Sequence, residues 1–309
     1  MRGLWLAFLL TFCRGAAAGP LDYKPVPFKA VVTTESVTDD ETTLTVTFPS
    51  PVKSPFEANN TVWGHLVLPR RPGPLPVILV LPVMAAPNVW IEQRFIQRFA
   101  ADGFAVLWLE MPYQFHRRPK PLVPSGQVFL ARTARRLSAN FEQSVQDARR
   151  ALWWLSRQPG IDASRVGIFG VSLGAIVGAT VYSVDATPSY GVFLLGGADF
   201  PTLVVSSSLT GPWVKKMGLT PGGVRDAWRG IDPEDFKARN KGKRALLINA
   251  RSDTVIPPAN ALRLKDAFPD AKQLWVPFGH YTAILHLIWI PRFVSRVFQK
   301  NLVNRPPQP

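Results

Sequence analysis

Between residues 27 and 69 apolar and polar positions alternate, as in TTLTVTF and TVWGHLVL, with turn residues between the runs. A period of two puts one side of each segment on a core and the other in water, which predicts antiparallel strands. From residue 77 onward the pattern changes. VILVL (77–81), AVLWL (105–109), VGIFGV (166–171), VFLL (192–195), ALLI (245–248) and LWV (274–276) are short unbroken apolar runs. Strands buried on both faces read this way, as in a parallel sheet covered by helices. The stretches between them carry helical spacing. NVWIEQRFIQRFAADG (88–103) ends on a glycine, and residues 138–160 put Phe141, Val145, Ala148, Leu152 and Leu155 on one stripe after Ser138 as N-cap. That stripe faces a core, so Trp153 and Trp154 read as packing rather than as ligand platforms.

Strand and helix in alternation predict one α/β layer structure with right-handed crossovers. The expected fold is a mostly parallel central sheet with an antiparallel N-terminal part and helices on both faces. Two insertions interrupt it, at about 111–137 and 199–243. Both are rich in Pro, Gly and basic residues, and either is placed to cover a site as a lid. The domain is expected to run from 19 to 301, with 302–309, ending NRPPQP, a disordered tail.

The first 18 residues have the layout of a secretory leader: Arg2, an apolar stretch from Leu4 to Cys13, and Ala16-Ala17-Ala18 as the cleavage signal. The apolar stretch is too short to span a bilayer. The expected product is secreted or periplasmic, with no stable membrane insertion. Cys13 is the sole cysteine, so disulfide and thiolate–metal chemistry are absent after cleavage. The formal charge of +15 stays strongly positive when Arg2 and Arg14 are removed, and favours anionic surfaces or polymers. Part of it is concentrated. No acid lies between Glu110 and Glu142, whereas Arg117, Arg118, Lys120, Arg132, Arg135 and Arg136 do. A solvated surface loop is expected there. A nucleic-acid site would interleave aromatic platforms with the cations, and none is evident.

Chemistry concentrates at Gly170-Val171-Ser172-Leu173-Gly174. The pattern G-x-S-x-G follows an apolar strand and precedes the small-residue helix AIVGATVY, and that context gives the motif its force. A tight turn pushes Ser172 proud of the sheet edge, glycine at 170 and 174 permits close approach, and the helix N-terminus favours negative charge. A serine hydroxyl attacks only when a base takes its proton. Of the four histidines, His65 lies in an early strand and His116 in the basic insertion. His286 sits in the apolar stretch ILHLIW, as a satisfied core residue. His280, in VPFGHYTAI, follows the last apolar strand and is the expected base. Asp253, in ARSDTVIP after ALLINA, is the expected acid that orients the imidazole; Asp199, in GGADF, is its rival. The chain order Ser, Asp, His differs from the two serine-protease orders.

With these residues in hand, the chain resembles the α/β-hydrolases, most of all the dienelactone-hydrolase and acyl-esterase-like members with a short lid or none. The likeness spans roughly residues 61–298 and is carried by GVSLG, ARSDTVIP and FGH. It implies an acyl-enzyme at Ser172, Asp253 orienting His280, and hydrolysis of an ester, thioester or related bond without cofactor or metal. Members often carry His-Gly or a Gly-rich turn after the strand that precedes the first helix; this chain has LPVMAAPNVW (81–90). The oxyanion hole would then use the backbone N–H of Leu173 with that of Val83 or Met84, since Pro82 has none. Tyr113, Phe115 and His116, in EMPYQFHRRP, are expected to line the acyl or alcohol pocket.

The expected function is an exported serine hydrolase acting on a small-molecule or polymer-borne carboxylic ester. Two alternatives stay open. One is a small peptidase or acylaminoacyl hydrolase of the same fold, although core strands occupy most of the chain before the serine and leave no room for a propeller domain. The other is a binding protein on a hydrolase scaffold.

Overall fold

Each unbroken apolar run becomes a strand of one sheet. The structure, a computed structural model, describes residues 19–24, 26–85, 87–119 and 123–304. The expected leader at 1–18, with Cys13, and the last residues of the expected tail lie outside the described residues. Among those described, nine strands form the sheet: β1 (Val31–Val37), β2 (Glu41–Pro49), β3 (Thr61–Pro69), β4 (Leu75–Leu81), β5 (Ala105–Leu109), β6 (Ile161–Val171), β7 (Tyr190–Leu194), β8 (Ala245–Ala250) and β9 (Lys272–Val276). Their order is β1-β2-β3-β5-β4-β6-β7-β8-β9. The first three and the β3–β5 pair are antiparallel, and every pair from β5 to β9 is parallel. The alternating segment thus forms the antiparallel margin. Its outermost strand, β1, is exposed at every residue because it has a neighbour on one side only.

The helices are α1 (Trp90–Ala101), α2 (Ala134–Leu155), α3 (Leu173–Val184), α4 (Phe200–Ser206), α5 (Gly211–Lys216), α6 (Pro221–Ala227), α7 (Lys237–Asn240), α8 (Pro258–Ala267) and α9 (Ile290–Phe298). The sheet divides the interior in two. Phe95 and Phe99 of α1 meet Val294 and Phe298 of α9 on one face. The stripe of α2, the small residues of α3 and Leu264 of α8 pack on the other. Strands β4 to β8 are therefore buried on both sides, which is why they show no alternation.

Two boundaries differ from expectation. Helix α2 starts at Ala134, because Thr133 rather than Ser138 caps it: the Thr133 side chain accepts from Arg136 N–H, and no residue between 133 and 138 interrupts a helix. Ser138 returns its hydroxyl to Arg135 O. At the other end the ordered chain passes residue 301. Leu302, in a π-helical turn at Gln299–Val303, is buried beside Phe298 against Gly167.

The insertion at 199–243 folds into α4 to α7 and is held by a buried acid. Asp232 accepts from Phe200 N–H at 2.7 Å and from Glu234 N–H at 3.0 Å, which ties the start of α4 to the following turn. Burial pushes its pKa from 3.8 up to about 6. The folded state binds the Asp232 proton more tightly than the unfolded chain, so its contribution to stability falls as pH rises from 3.8 to about 6. Asp232→Asn abolishes that titration. Thermal melts at pH 5 and pH 7 should show the parent gaining about 1 kcal/mol relative to the variant on acidification.

Candidate active site

The turn between β6 and α3 answers why glycine flanks the serine. A Cβ on Gly170 would lie 2.1 Å from Gly174 O, and one on Gly174 would lie 2.0 Å from Leu81 O. Backbone occupies both places. The turn this permits holds Ser172 at φ 53° and ψ −115°, a conformation an L-residue keeps only when its surroundings enforce it. Ser172 N–H donates to Leu194 O at 2.9 Å, and Ala175 and Ile176 N–H donate to Ser172 O.

His280 arrives from the loop after β9 and Asp253 from the loop after β8. Ser172 Oγ lies 2.9 Å from His280 Nε2, and His280 Nδ1 lies 2.8 Å from Asp253 Oδ2. Asp253 is 4% exposed, and its other oxygen accepts from Val255 N–H at 2.9 Å and Ile256 N–H at 2.7 Å. Those bonds aim the carboxylate at His280. The network requires Nδ1–H to donate to Asp253, which leaves Nε2 to accept the Ser172 proton. Asp199 takes no part; it stands at φ 57° and caps α4 by accepting from Thr202 N–H.

The oxyanion expectations part company. Val83 N–H already donates to Glu92 Oε1 at 2.8 Å, so it is not a free donor. Leu173 and Met84 N–H find no acceptor among the described residues, and both residues line the same small cavity as Ser172. Val83 is held at both ends, since its carbonyl accepts from Gln114 Nε2 at 2.8 Å. The sequence reading missed both clamps. Glu92 was visible in principle: it shares the buried stripe of α1 with Phe95, Ile96 and Phe99, where an acid needs a reason. Burial raises its pKa, and Oε2 has no hydrogen-bond partner among the described residues.

Apolar space adjoins the serine on both sides. A cavity of about 680 Å³ is lined by Ile91, Leu130, Leu209, Trp213 and Leu287 with Ser172 and His280. A smaller one, about 90 Å³, is lined by Leu173, Phe141, Phe200, Trp228 and Ile256. Tyr113, Phe115 and His116 line neither cavity, contrary to expectation. Tyr113 is buried, with its hydroxyl on Asn140. Phe115 packs edge-on to Trp108, and His116 stacks on Trp63 with Nδ1 2.6 Å from Glu110. The cause is Arg117, which is wholly buried and not solvated as expected. It donates to Asp147 at 2.7 Å and to the carbonyls of Glu110 and Asn59, and so draws residues 111–118 inward. The later part of that insertion, Pro124 to Arg132, forms the cavity wall instead.

One group among the described residues brings ligating atoms together: His65, Glu110 and His116, within 4.8 Å of one another. Here they hydrogen-bond to each other and brace the start of the insertion, away from both cavities at Ser172. His286 is not a core residue; it is half-buried, stacked on Phe278, and accepts from Trp289 Nε1.

No protein-family model and no curated relative matches the sequence. Solved structures do. An acetyl xylan esterase from Paenibacillus sp. R4 is similar with a TM-score of 0.65 at 17% identity, over 90% of each chain. An acylaminoacyl peptidase from Pyrococcus horikoshii has a TM-score of 0.63 at 15% identity, over 91% of this chain but 43% of its own. Acetyl xylan esterase 1 from Thermoanaerobacterium sp. JW/SL YS485 has a TM-score of 0.56 at 14% identity, over 86% and 88%.

The glycine contacts can be checked directly. Gly174→Ala forces its new carbon onto a backbone carbonyl and should cost about 3 kcal/mol or more in denaturant unfolding. Gly178→Ala, four residues on, meets only the edge of the Phe193 ring at 3.1 Å. A side chain can yield there, and alanine favours the helix, so the change should stay within about 1 kcal/mol.

Proposed function

We infer from the fold, which is that of the α/β-hydrolases, and from the Ser172–His280–Asp253 relay that the protein is a serine hydrolase of carboxylic esters. The relay carries the reading. His280 Nε2 takes the Ser172 proton as Oγ bonds to the ester carbonyl carbon. The oxygen, now negative, is stabilised by Leu173 N–H and Met84 N–H at the start of α3. Collapse breaks the acyl C–O bond, and the imidazolium returns its proton to the departing alkoxide. Water then attacks the acyl-enzyme by the same route and releases the carboxylic acid. Asp253 accepts from His280 Nδ1–H throughout and stabilises the imidazolium. No cofactor enters this chemistry. The leader-like residues 1–18 support export to a secreted or periplasmic location.

A second reading, an acylaminoacyl hydrolase, is supported by the similarity to the archaeal peptidase, and a parallel assay of p-nitrophenyl esters and aminoacyl p-nitroanilides separates the two. Faster turnover of the amide would reverse the order of preference.

Ser172→Ala should fold normally and lose all labelling by a fluorophosphonate probe; equal labelling of variant and parent would remove Ser172 from the mechanism. In the parent, kcat/KM should climb as pH is raised, because a base must be neutral to take the Ser172 proton, and a flat profile would exclude a neutral imidazole in that role. Glu92 acts one step away, as a positioning residue. Glu92→Ala frees Val83 and should lower kcat by about 10- to 100-fold with KM little changed. Glu92→Gln keeps an oxygen for Val83 N–H and should stay within a few fold of the parent. Equal losses for both variants would mean that Val83 needs no anchor.

A further inference from the structure

The mouth of the larger cavity is apolar beyond what a water-soluble ester requires, and it is edged by cations. We propose that the protein works at an anionic lipid surface, where it hydrolyses a membrane-lipid ester whose acyl chain enters the larger cavity. This rests on the serine-hydrolase reading and names its substrate class.

Three observations converge. The first is the cavity itself. About 680 Å³ of largely apolar space opens at Ser172, and among the described residues Arg132 is the one lining residue with a permanent charge. Its size suits a flexible chain, and the polar groups of Ser125, Gln127, Trp213 and Tyr281 are few among its apolar side chains.

The second is the segment that follows His280. His286, in ILHLIW, was expected in the core, yet around it Tyr281 is 67% exposed, Leu285 71% and Ile288 86%. Ile284 and Leu287 of the same segment line the cavity, so the interior surface continues onto the outside without a polar break. Leu209, another lining residue, is also exposed. The segment is held in place: His286 stacks on Phe278 and is bonded by Trp289. A fixed, contiguous apolar patch of this kind marks a contact surface.

The third is charge. The stretches that line the cavity, 83–91, 124–132, 209–217 and 280–287, contain no acid. Arg132 lines it, Lys215 and Lys216 stand between the lining residues Trp213 and Met217, and Arg94 lies three residues past Ile91; all four are exposed. A cationic border around apolar side chains suits a bilayer with anionic headgroups. It disfavours a second copy of the same face, because two such borders repel. The reaction balances as water plus lipid ester giving a fatty acid and the lyso-lipid. The acyl C–O bond breaks, the water oxygen goes to the acyl carbon, and its proton goes to the lipid alcohol.

The test uses the full chain carrying Ser172→Ala, so that vesicles stay intact. It should co-sediment with phosphatidylcholine vesicles containing phosphatidylglycerol, bind pure phosphatidylcholine far less, and detach as salt is raised. Adding Leu285→Ser with Ile288→Ser, both outside the cavity, should weaken partitioning by about tenfold or more. The parent should release fatty acid from the mixed vesicles. Absent adsorption, or adsorption indifferent to those two substitutions, overturns the proposal. So does a concentration-dependent dimer that the same substitutions abolish, which would give the patch to a second copy. The two layers fail separately. Labelling of Ser172 with cleavage of soluble esters but no vesicle binding leaves the hydrolase and removes the lipid surface. Vesicle binding without Ser172 labelling removes the hydrolase.

Discussion

Two carbonyl groups occupy the space where a first side-chain carbon would stand: Gly174 O beside Gly170, and Leu81 O beside Gly174. Everything at the candidate site depends on this approach. It lets α3 begin against the end of β6, so Ser172 is carried at the crest of the turn with positive φ. A hydroxyl in an ordinary loop would lie lower and move more. The same closeness brings the end of β4 beneath the first turn of α3, and the turn after β4 therefore lies next to Leu173. One steric constraint sets both the position of Ser172 Oγ and that of the Leu173 and Met84 N–H groups, the nucleophile and the oxyanion donors of the proposed reaction.

Holding the second donor falls to groups farther away. Met84 belongs to a turn with Ala85 at φ 59°, and a strained turn relaxes unless neighbours oppose it. Glu92 and Gln114 grip Val83 from opposite ends. Gly126 packs so close that a Cβ there would lie 2.8 Å from Ala85 N, and its own N–H donates to Tyr113 O. Tyr113 and Gln114 are in turn fixed by Arg117, whose guanidinium is neutralised by Asp147 inside the protein. Removing one partner of such a buried pair leaves an uncompensated charge, typically at about 3–5 kcal/mol. The ion pair thus reaches the oxyanion turn through the insertion, although neither residue touches either cavity.

The parallel strands, α1 and α2 were legible because burial on two faces, or on one stripe, leaves a period in the sequence. The three residues of the relay were legible for a related reason. Each follows an apolar run, and strand ends on one edge of a parallel sheet converge. What escaped was whatever depends on distance along the chain. Arg117 reads as one more cation in a basic loop, and nothing local says that Asp147, on the far side of the insertion, awaits it. Val83 reads as a free donor until Glu92 is seen to turn inward from α1. The segment 281–289 has the composition of a core element, and composition cannot say that the sheet has no place left to bury it. His286 was misread with it.

That last segment also joins the two levels of the proposed function. Gly279 N–H bonds Thr282 Oγ1, and Ala283 N–H bonds Gly279 O; the loop that presents His280 is therefore closed by the first residues of the exposed stretch. Under the proposed function, contact at Leu285 or Ile288 would fall within a few residues of the backbone that positions His280. Cavity wall, outer patch and imidazole are consecutive parts of one peptide. Preference for a dispersed or an aggregated ester can accordingly change through 281–289 while Ser172, Asp253 and the Val83 clamp stay as they are. A fold that serves many chemistries places its variation in such segments, where substitution costs little because water, not core, is the neighbour.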